Sequence, residues 1–259
     1  MTDSILFDVD SATGVATLTL NRPQRFNAFT REMINRWADR LEDVHKDRSI
    51  KALVVTGAGK AFCAGGDMDD LESFLTMPAD ERKNYLWQNV HRIPLALQRL
   101  DRPVIAAMNG TARGAGLDMA LMCDIRIAER SAKFAESYIA VGLVPGDGGC
   151  YYLPRLVGMA RALELLWTGD EVSADEAERI GMVSKVVDDG QALAAARALA
   201  ERIAKQPATA VQFMKRAAYQ SLTLPLDAHL DMISSHMSVV EDVPDFKKRV
   251  QAFKDRKRS

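Results

Sequence analysis

A strand that runs into glycines and then into a helix occurs twice in this chain, at 53–72 and at 104–122. That unit constrains the fold more than any other feature. Strands alternating with helices place the chain among α/β folds, and parallel strands joined through a crossover are wound right-handed. The first unit reads KALVVTGAG followed by AFCAGGDMDDL (61–71), the second PVIAAMNG followed by TARGAGLDMAL. The likeness is structural, with no clear sequence repeat beneath it.

Around these units the pattern is readable. ILFDVDSATGVATLTLNRP alternates in two runs about an Ala-Thr-Gly turn, which predicts a hairpin. From Thr30 to His45 a helix is expected, with Thr30 as its N-cap and Met33, Ile34, Trp37, Leu41 and Val44 on one face. A helical stretch follows over 78–100. IRIAE and FAESYIA (134–140) read as strands, and the chain is mostly helical from Met159 onward. Near residue 190 the composition shifts to the alanine-rich, amphipathic QALAAARALAERIAKQP. We therefore expect a core over 1–190 and a helical region over 191–259.

Bulk properties exclude several classes. A net charge of −1 gives no global attraction for nucleic acid or an anionic membrane. No stretch reaches the length and apolarity of a transmembrane helix, and the acidic start MTDSILFDVD is unlike a signal peptide. Three cysteines without CxxC spacing fit reduced thiols, hence a cytoplasmic protein. His45, His229 and His236 lack ligand spacing, and no metal site is expected.

The glycine turns have a chemical reading beside a packing one. The first N–H groups of a helix have no internal partner and carry partial positive charge. Small residues let a ligand reach them. Two such turns side by side would aim two N–H groups at one oxygen, forming an oxyanion hole. Gly114 and Gly116 do not complete a dinucleotide fingerprint, and no GxxxxGK[ST] is present, so no separate nucleotide cofactor is expected. A third turn, VPGDGG (144–149), holds Asp147 at its centre. An aspartate there is a good turn or N-cap residue, and equally a candidate acid or base.

The segments NRPQRFNAF, AFCAGGDMDDL, RPVIAAMNGTARGAGLDMALMCDIRIA, AKFAESYIAVGLVPGDGGCYYLPRLVG and TGDEVSADEAERIGMVSKVV together resemble the crotonase, or enoyl-CoA hydratase/isomerase, superfamily. The resemblance covers nearly the whole chain. It implies a crotonase-like spiral of ββα repeats, with a C-terminal helical region for trimerisation and active-site closure. It implies a homotrimer or a dimer of trimers and an acyl-CoA thioester as substrate. It places the thioester oxygen between the amides of Gly66 and Ala115. It implies that Ala28, Ala64, Asp67 and Met68 border the ligand, with Arg25 meeting the pantetheine–phosphate portion. Phe253 and Lys257 would hold the nucleotide from a neighbouring subunit.

Hydratases of this family carry two glutamates. Here the first position is Asp118 and the second is Tyr138, since FAESY stands where FxxPE is usual. Glu136 lies two residues earlier, out of register. A phenol cannot replace a carboxylate base at neutral pH. The resemblance therefore points to Asp147 as the acid or base acting on substrate carbon, with Asp118 as its partner. His91 precedes the second oxyanion segment at a spacing where some hydrolytic relatives keep a histidine, and a packed or solvated residue is its plain alternative. Hydration of a 2-enoyl-CoA is the first expectation. A double-bond isomerase, a hydrolase or dehalogenase, and a non-catalytic acyl-CoA binder are the alternatives.

Overall fold

The computed structural model describes residues 3–256. β1 (Ile5–Asp10) and β2 (Val15–Leu20) form the expected hairpin, with Ile5 opposite Leu20 and Asp10 opposite Val15. α1 (Arg31–Lys46) begins where the Thr30 hydroxyl accepts the Met33 amide, and it buries the predicted apolar face.

Three strand pairs then follow in succession. β3 (Ala52–Gly57) and β4 (Ala61–Cys63) lead to α2 (Met68–Ser73), after which come α3 (Ala79–Tyr85) and α4 (Arg92–Arg99). β5 (Val104–Met108) and β6 (Thr111–Arg113) lead to α5 (Ala115–Leu121). β7 (Ile125–Glu129) and β8 (Lys133–Ala135) lead to a 3-10 turn at Ser137–Val141 and then α6 (Gly149–Val157). α7 (Met159–Thr168), β9 (Val172–Ser173), α8 (Ala174–Arg179) and β10 (Lys185–Val187) close the sheets. The remaining helices are α9 (Ala192–Ala204), α10 (Ala208–Gln220), α11 (Leu226–Asp242) and α12 (Pro244–Arg256).

The first strand of each pair enters a six-stranded sheet, ordered β1-β2-β3-β5-β7-β10, which is parallel beyond the initial hairpin. The second strand enters a four-stranded sheet, ordered β4-β6-β8-β9. Each pair thus advances both sheets by one strand, and the chain climbs as a spiral. β4, β6 and β8 are parallel neighbours. The turns leaving their C-terminal ends must therefore be neighbours too, and this is what gathers a site.

β3 and β5 are buried along their whole length, as strands covered on both faces must be. One face is covered by α9, whose Ala192, Ala196, Ala200 and Ala204 lie against Val15, Val54, Ile105 and Ile127. Alanine at every fourth position lets the helix lie close to the sheet. On the other face Leu18, Leu53, Val55 and Met108 join the cluster built around Trp37 and Ile93. Arg126 of β7, buried, donates to the carbonyls of Ala120, Leu121 and Cys123 at the end of α5 and to that of Met182. A cation at a helix C-terminus is favourable there, and it fixes the helix that carries Asp118.

Two elements differ from expectation. FAESYIA is not a single strand: β8 stops at Ala135, Glu136 adopts φ −82° and ψ 73°, and the chain then coils. The stretch 78–100 is helical but opens into a π-turn over Leu86–Val90, just before His91. Insertions of this kind are common at functional sites.

Candidate active site

The site begins with backbone. Phe29 donates to the Gly65 carbonyl (2.9 Å) and the Asp67 amide donates to the Phe29 carbonyl (3.1 Å). This bridge uses the groups flanking Gly66 and leaves the Gly66 amide without a backbone acceptor among the described residues. Ala115 opens α5, and only the following amides, of Leu117 and Asp118, bond to the Gly114 carbonyl. Gly114 has φ +48°, a conformation side chains disfavour. The two turns touch. A Cβ on Gly116 would lie 2.2 Å from the Cys63 carbonyl oxygen, and one on Gly65 2.9 Å from that of Arg113. Side chains at 65 and 116 are excluded because the Gly66 and Ala115 turns are pressed together.

Side chains form the other half. Asp118, wholly buried, lies in the first turn of α5; Tyr138 comes from the 3-10 turn after β8; Asp147 comes from the turn before α6. The Tyr138 hydroxyl oxygen is 2.8 Å from Asp118 Oδ2 and 2.6 Å from Asp147 Oδ2. Its ring lies against Gly114, so the acids adjoin the backbone turns. Asp147 does not cap α6; the N-cap is Gly148, and no side chain caps it. The turn keeps an aspartate at its centre because that carboxylate faces inward to Tyr138. Asp147 Oδ1 is buried with no hydrogen-bond partner among the described residues.

A phenol has one proton and donates it to one acceptor. With a carboxyl at each side, the second contact needs a proton on a carboxyl. The electrostatics agree. Burial, then the Asp147 charge, push Asp118 up to about 7, against the pull of the Tyr138 hydrogen bond and of the Gly149 amide and Glu136 carboxyl nearby. Burial also raises Asp147, while the Tyr138 hydrogen bond and the His91 charge lower it. Burial beside these two acids raises Tyr138 well above the ordinary range for a phenol.

Glu136, out of register by sequence, is buried against Asp118. The only signal for it was a glutamate at the exit of an apolar strand. His91 meets the same cluster indirectly. Its Nε2 is 2.9 Å from the Gly146 carbonyl oxygen, which can only accept, so Nε2–H donates and ties the π-turn to the Asp147 turn. Trp87 packs edge-on to the His91 ring.

The remaining residues singled out by resemblance are spread more widely. Arg25 is exposed and 3.4 Å from exposed Asp69; Ala28 is half-buried; Ala64 and Met68 are exposed. Asp67 is turned inward, where it caps α2 through the Asp69 amide and pairs with Arg22 at 2.8 Å, so its carboxylate is already engaged. Phe253 on α12 borders an apolar groove of about 440 Å³ with Pro207, Val240, Val243 and Phe246, none of which belongs to the acid cluster. Lys257 lies outside the described residues. All three cysteines are free thiols, with Cys63 and Cys123 buried. Among the described residues no helix is long and apolar enough to cross a membrane.

A spiral of strand pairs with abutting glycine turns beside a buried acid cluster defines the class: a crotonase-fold enzyme. The chain belongs to the enoyl-CoA hydratase/isomerase family, whose sequence model matches residues 10–259. It is 40% identical over 253 residues to the 1,2-epoxyphenylacetyl-CoA isomerase of Escherichia coli strain K12, covering 98% of this chain and 96% of that protein. It is 35% identical to the crotonyl-CoA hydratase of Syntrophomonas wolfei, over 95% of this chain and 93% of the relative. The crystal structure of an enoyl-CoA hydratase from Mycobacterium smegmatis superposes with a TM-score of 0.90 at 35% identity, covering 98% of this chain and 97% of that one.

Proposed function

We propose that the enzyme moves a proton along the acyl chain of an enoyl-CoA thioester, shifting a double bond through a thioester enolate. The observation that carries this is the Tyr138 oxygen, 2.8 Å from one aspartate and 2.6 Å from the other. Hydration needs a water held between two acids. Here the phenol oxygen fills that position, and Asp147 Oδ1, which has no hydrogen-bond partner among the described residues, is the oxygen we assign as base.

In this reading the Gly66 and Ala115 amides hold the thioester oxygen. Asp147 removes a proton from C2 of a 3-enoyl-CoA. The electron pair moves into the thioester carbonyl, where two fixed donors stabilise the charge; one such donor is worth about 3–4 kcal/mol. Asp147 then returns the proton to C4, giving the 2-enoyl-CoA. A proton transfer of this kind uses one well-placed base. Tyr138 and Asp118 hold Asp147 in place, and His91 buttresses its turn. Arg25 meets the pantetheine–phosphate arm, with Ala28, Ala64 and Met68 along it. The E. coli relative is named for isomerising an epoxide thioester, which supports isomerisation over water addition without naming a double-bond shift, and the hydratase name of the S. wolfei relative supports the alternative.

Assays of a 3-enoyl-CoA and of crotonyl-CoA decide between them. Isomerisation is expected to exceed hydration in kcat/KM by at least about tenfold, which is about 1.4 kcal/mol in transition-state binding. Hydration at an equal or higher kcat/KM overturns the proposal.

A further inference from the structure

Glu136 has no part in the reaction just described, yet it is 1% exposed and both its oxygens are buried without a donor among the described residues. A buried carboxylate with no donor and no cation is strongly unfavourable. What Glu136 does meet is another acid. A Cβ on Gly149 would lie 2.4 Å from Asp118 Oδ1 and 3.1 Å from Glu136 Oε1, so the two carboxyls border the same point, and glycine at 149 leaves room for both. Two carboxyls make a hydrogen bond only when one is protonated.

Four acidic groups thus stand in a row: Glu136, Asp118, Tyr138 and Asp147. Tyr138 touches an aspartate on each side, at 2.8 and 2.6 Å, and the Asp118 and Glu136 carboxyls adjoin at Gly149; each of these three junctions needs one proton. Three protons on four acids leave one negative charge, and where it rests depends on which way the protons point. We propose that Glu136 is a positioning residue, a neutral carboxylic acid that donates to Asp118, turning the Asp118 proton toward Tyr138 and the Tyr138 proton toward Asp147, so that the single charge rests on Asp147.

The proposal rests on the reading of Asp147 as the base. When Asp147 Oδ1 takes the substrate proton, the row holds four protons and is neutral, and the charge resides on the enolate. Return of the proton restores the charge to Asp147, so no proton enters or leaves the row during turnover. Burial, and next the Asp118 charge, push Glu136 up to about 10, in line with a neutral acid. The titratable groups facing it are Asp118 on α5, Asp147 in the turn before α6, and Cys150 on α6.

A donor that stays neutral is what Glu136→Gln supplies and Glu136→Met does not. We expect Glu136→Gln to keep kcat within about threefold of the parent and Glu136→Met to lose about tenfold or more, with KM little changed in both. Equal loss in the two variants, or loss in neither, overturns the proposal. Infrared difference spectra of the parent against Glu136→Gln at pH 8 read the same point without substrate and without the Met variant. Asp118 keeps its proton in both proteins and cancels, so the difference spectrum is expected to show one protonated-carboxyl carbonyl band that the parent has and the variant has lost. Absence of that band from the difference overturns the proposal. If the parent turns over no thioester, the reaction assigned above fails while the infrared band still decides the state of Glu136.

Discussion

The two halves of the site are built from different materials. The Gly66 and Ala115 turns are backbone, and their geometry is secured by small neighbours that let two loops touch. The row from Glu136 to Asp147 is side chain, assembled from α5, the exit of β8 and the turn before α6. The backbone half depends on what each turn excludes. The side-chain half depends on where three separate elements place their acids relative to one another. The first is therefore sensitive to added volume and the second to the loss or gain of a proton.

The largest effect should come from adding volume where the turns meet. Gly116→Ala puts a methyl 2.2 Å from the Cys63 carbonyl oxygen and 2.7 Å from its carbon, and backbone there cannot yield. We expect a loss of about 3 kcal/mol or more in stability, or failure to fold, by denaturant unfolding. Gly66→Ala is the contrast. Its methyl would come no nearer than 3.9 Å to Leu71, and we expect a folded protein whose amide is kept. Equal damage from both would erase the distinction between the halves.

Next is the base. Asp147→Asn preserves shape and hydrogen-bonding capacity but cannot take a proton. A drop of about 10²–10⁴ in kcat is expected, with little change in Tm or KM. Full turnover on the thioester the parent accepts best would remove Asp147 from the chemistry.

The smallest effect, taken per pH unit, is the dependence of stability on pH. Asp118 is raised in the folded protein to about 7 from an ordinary 3.8. Between those values the folded state holds a proton that the unfolded chain has released, so stability falls as pH rises through this window, by at most about 1.4 kcal/mol per pH unit. Below the window both states are protonated, so the contribution is flat there. Asp118→Asn should shallow the fall of Tm between pH 4 and 7. An unchanged slope would show that the side-chain half does not store a proton at Asp118.

This contrast also explains what a reader of the sequence can see. The hairpin, α1 with its Thr30 cap, the strands and the glycine turns follow from local spacing, because each depends on residues a few positions apart; that the two turns abut follows only from the pairing of β4 with β6. Asp118 and Tyr138 could be located by resemblance, but not their shared phenol bond, which needs α5 and the β8 exit to be placed in space. Glu136 is the clearest case. Reading FAESYIA as one strand puts it out of register, whereas the chain leaves the strand at Ala135 and turns Glu136 onto Asp118. Asp147 is the reverse case. Its turn is plain in VPGDGG, but whether the carboxylate capped a helix or faced the interior was decided by Tyr138, nine residues earlier in the chain.

The loop that precedes Phe29 carries Phe26 at φ +51° and Asn27 at φ +58°, two consecutive left-handed residues that are not glycine. Asn27 holds them there, its amide nitrogen bonding the carbonyls of Ala58 and Ala61 while its Oδ1 accepts the Arg22 amide. The strain is settled when the chain folds, because these anchors belong to β4 and its approach and not to any guest. Arg25 and Ala28 belong to this loop. If they border the pantetheine–phosphate arm as proposed, the arm meets a loop the fold has already set, and its binding loses little to ordering it.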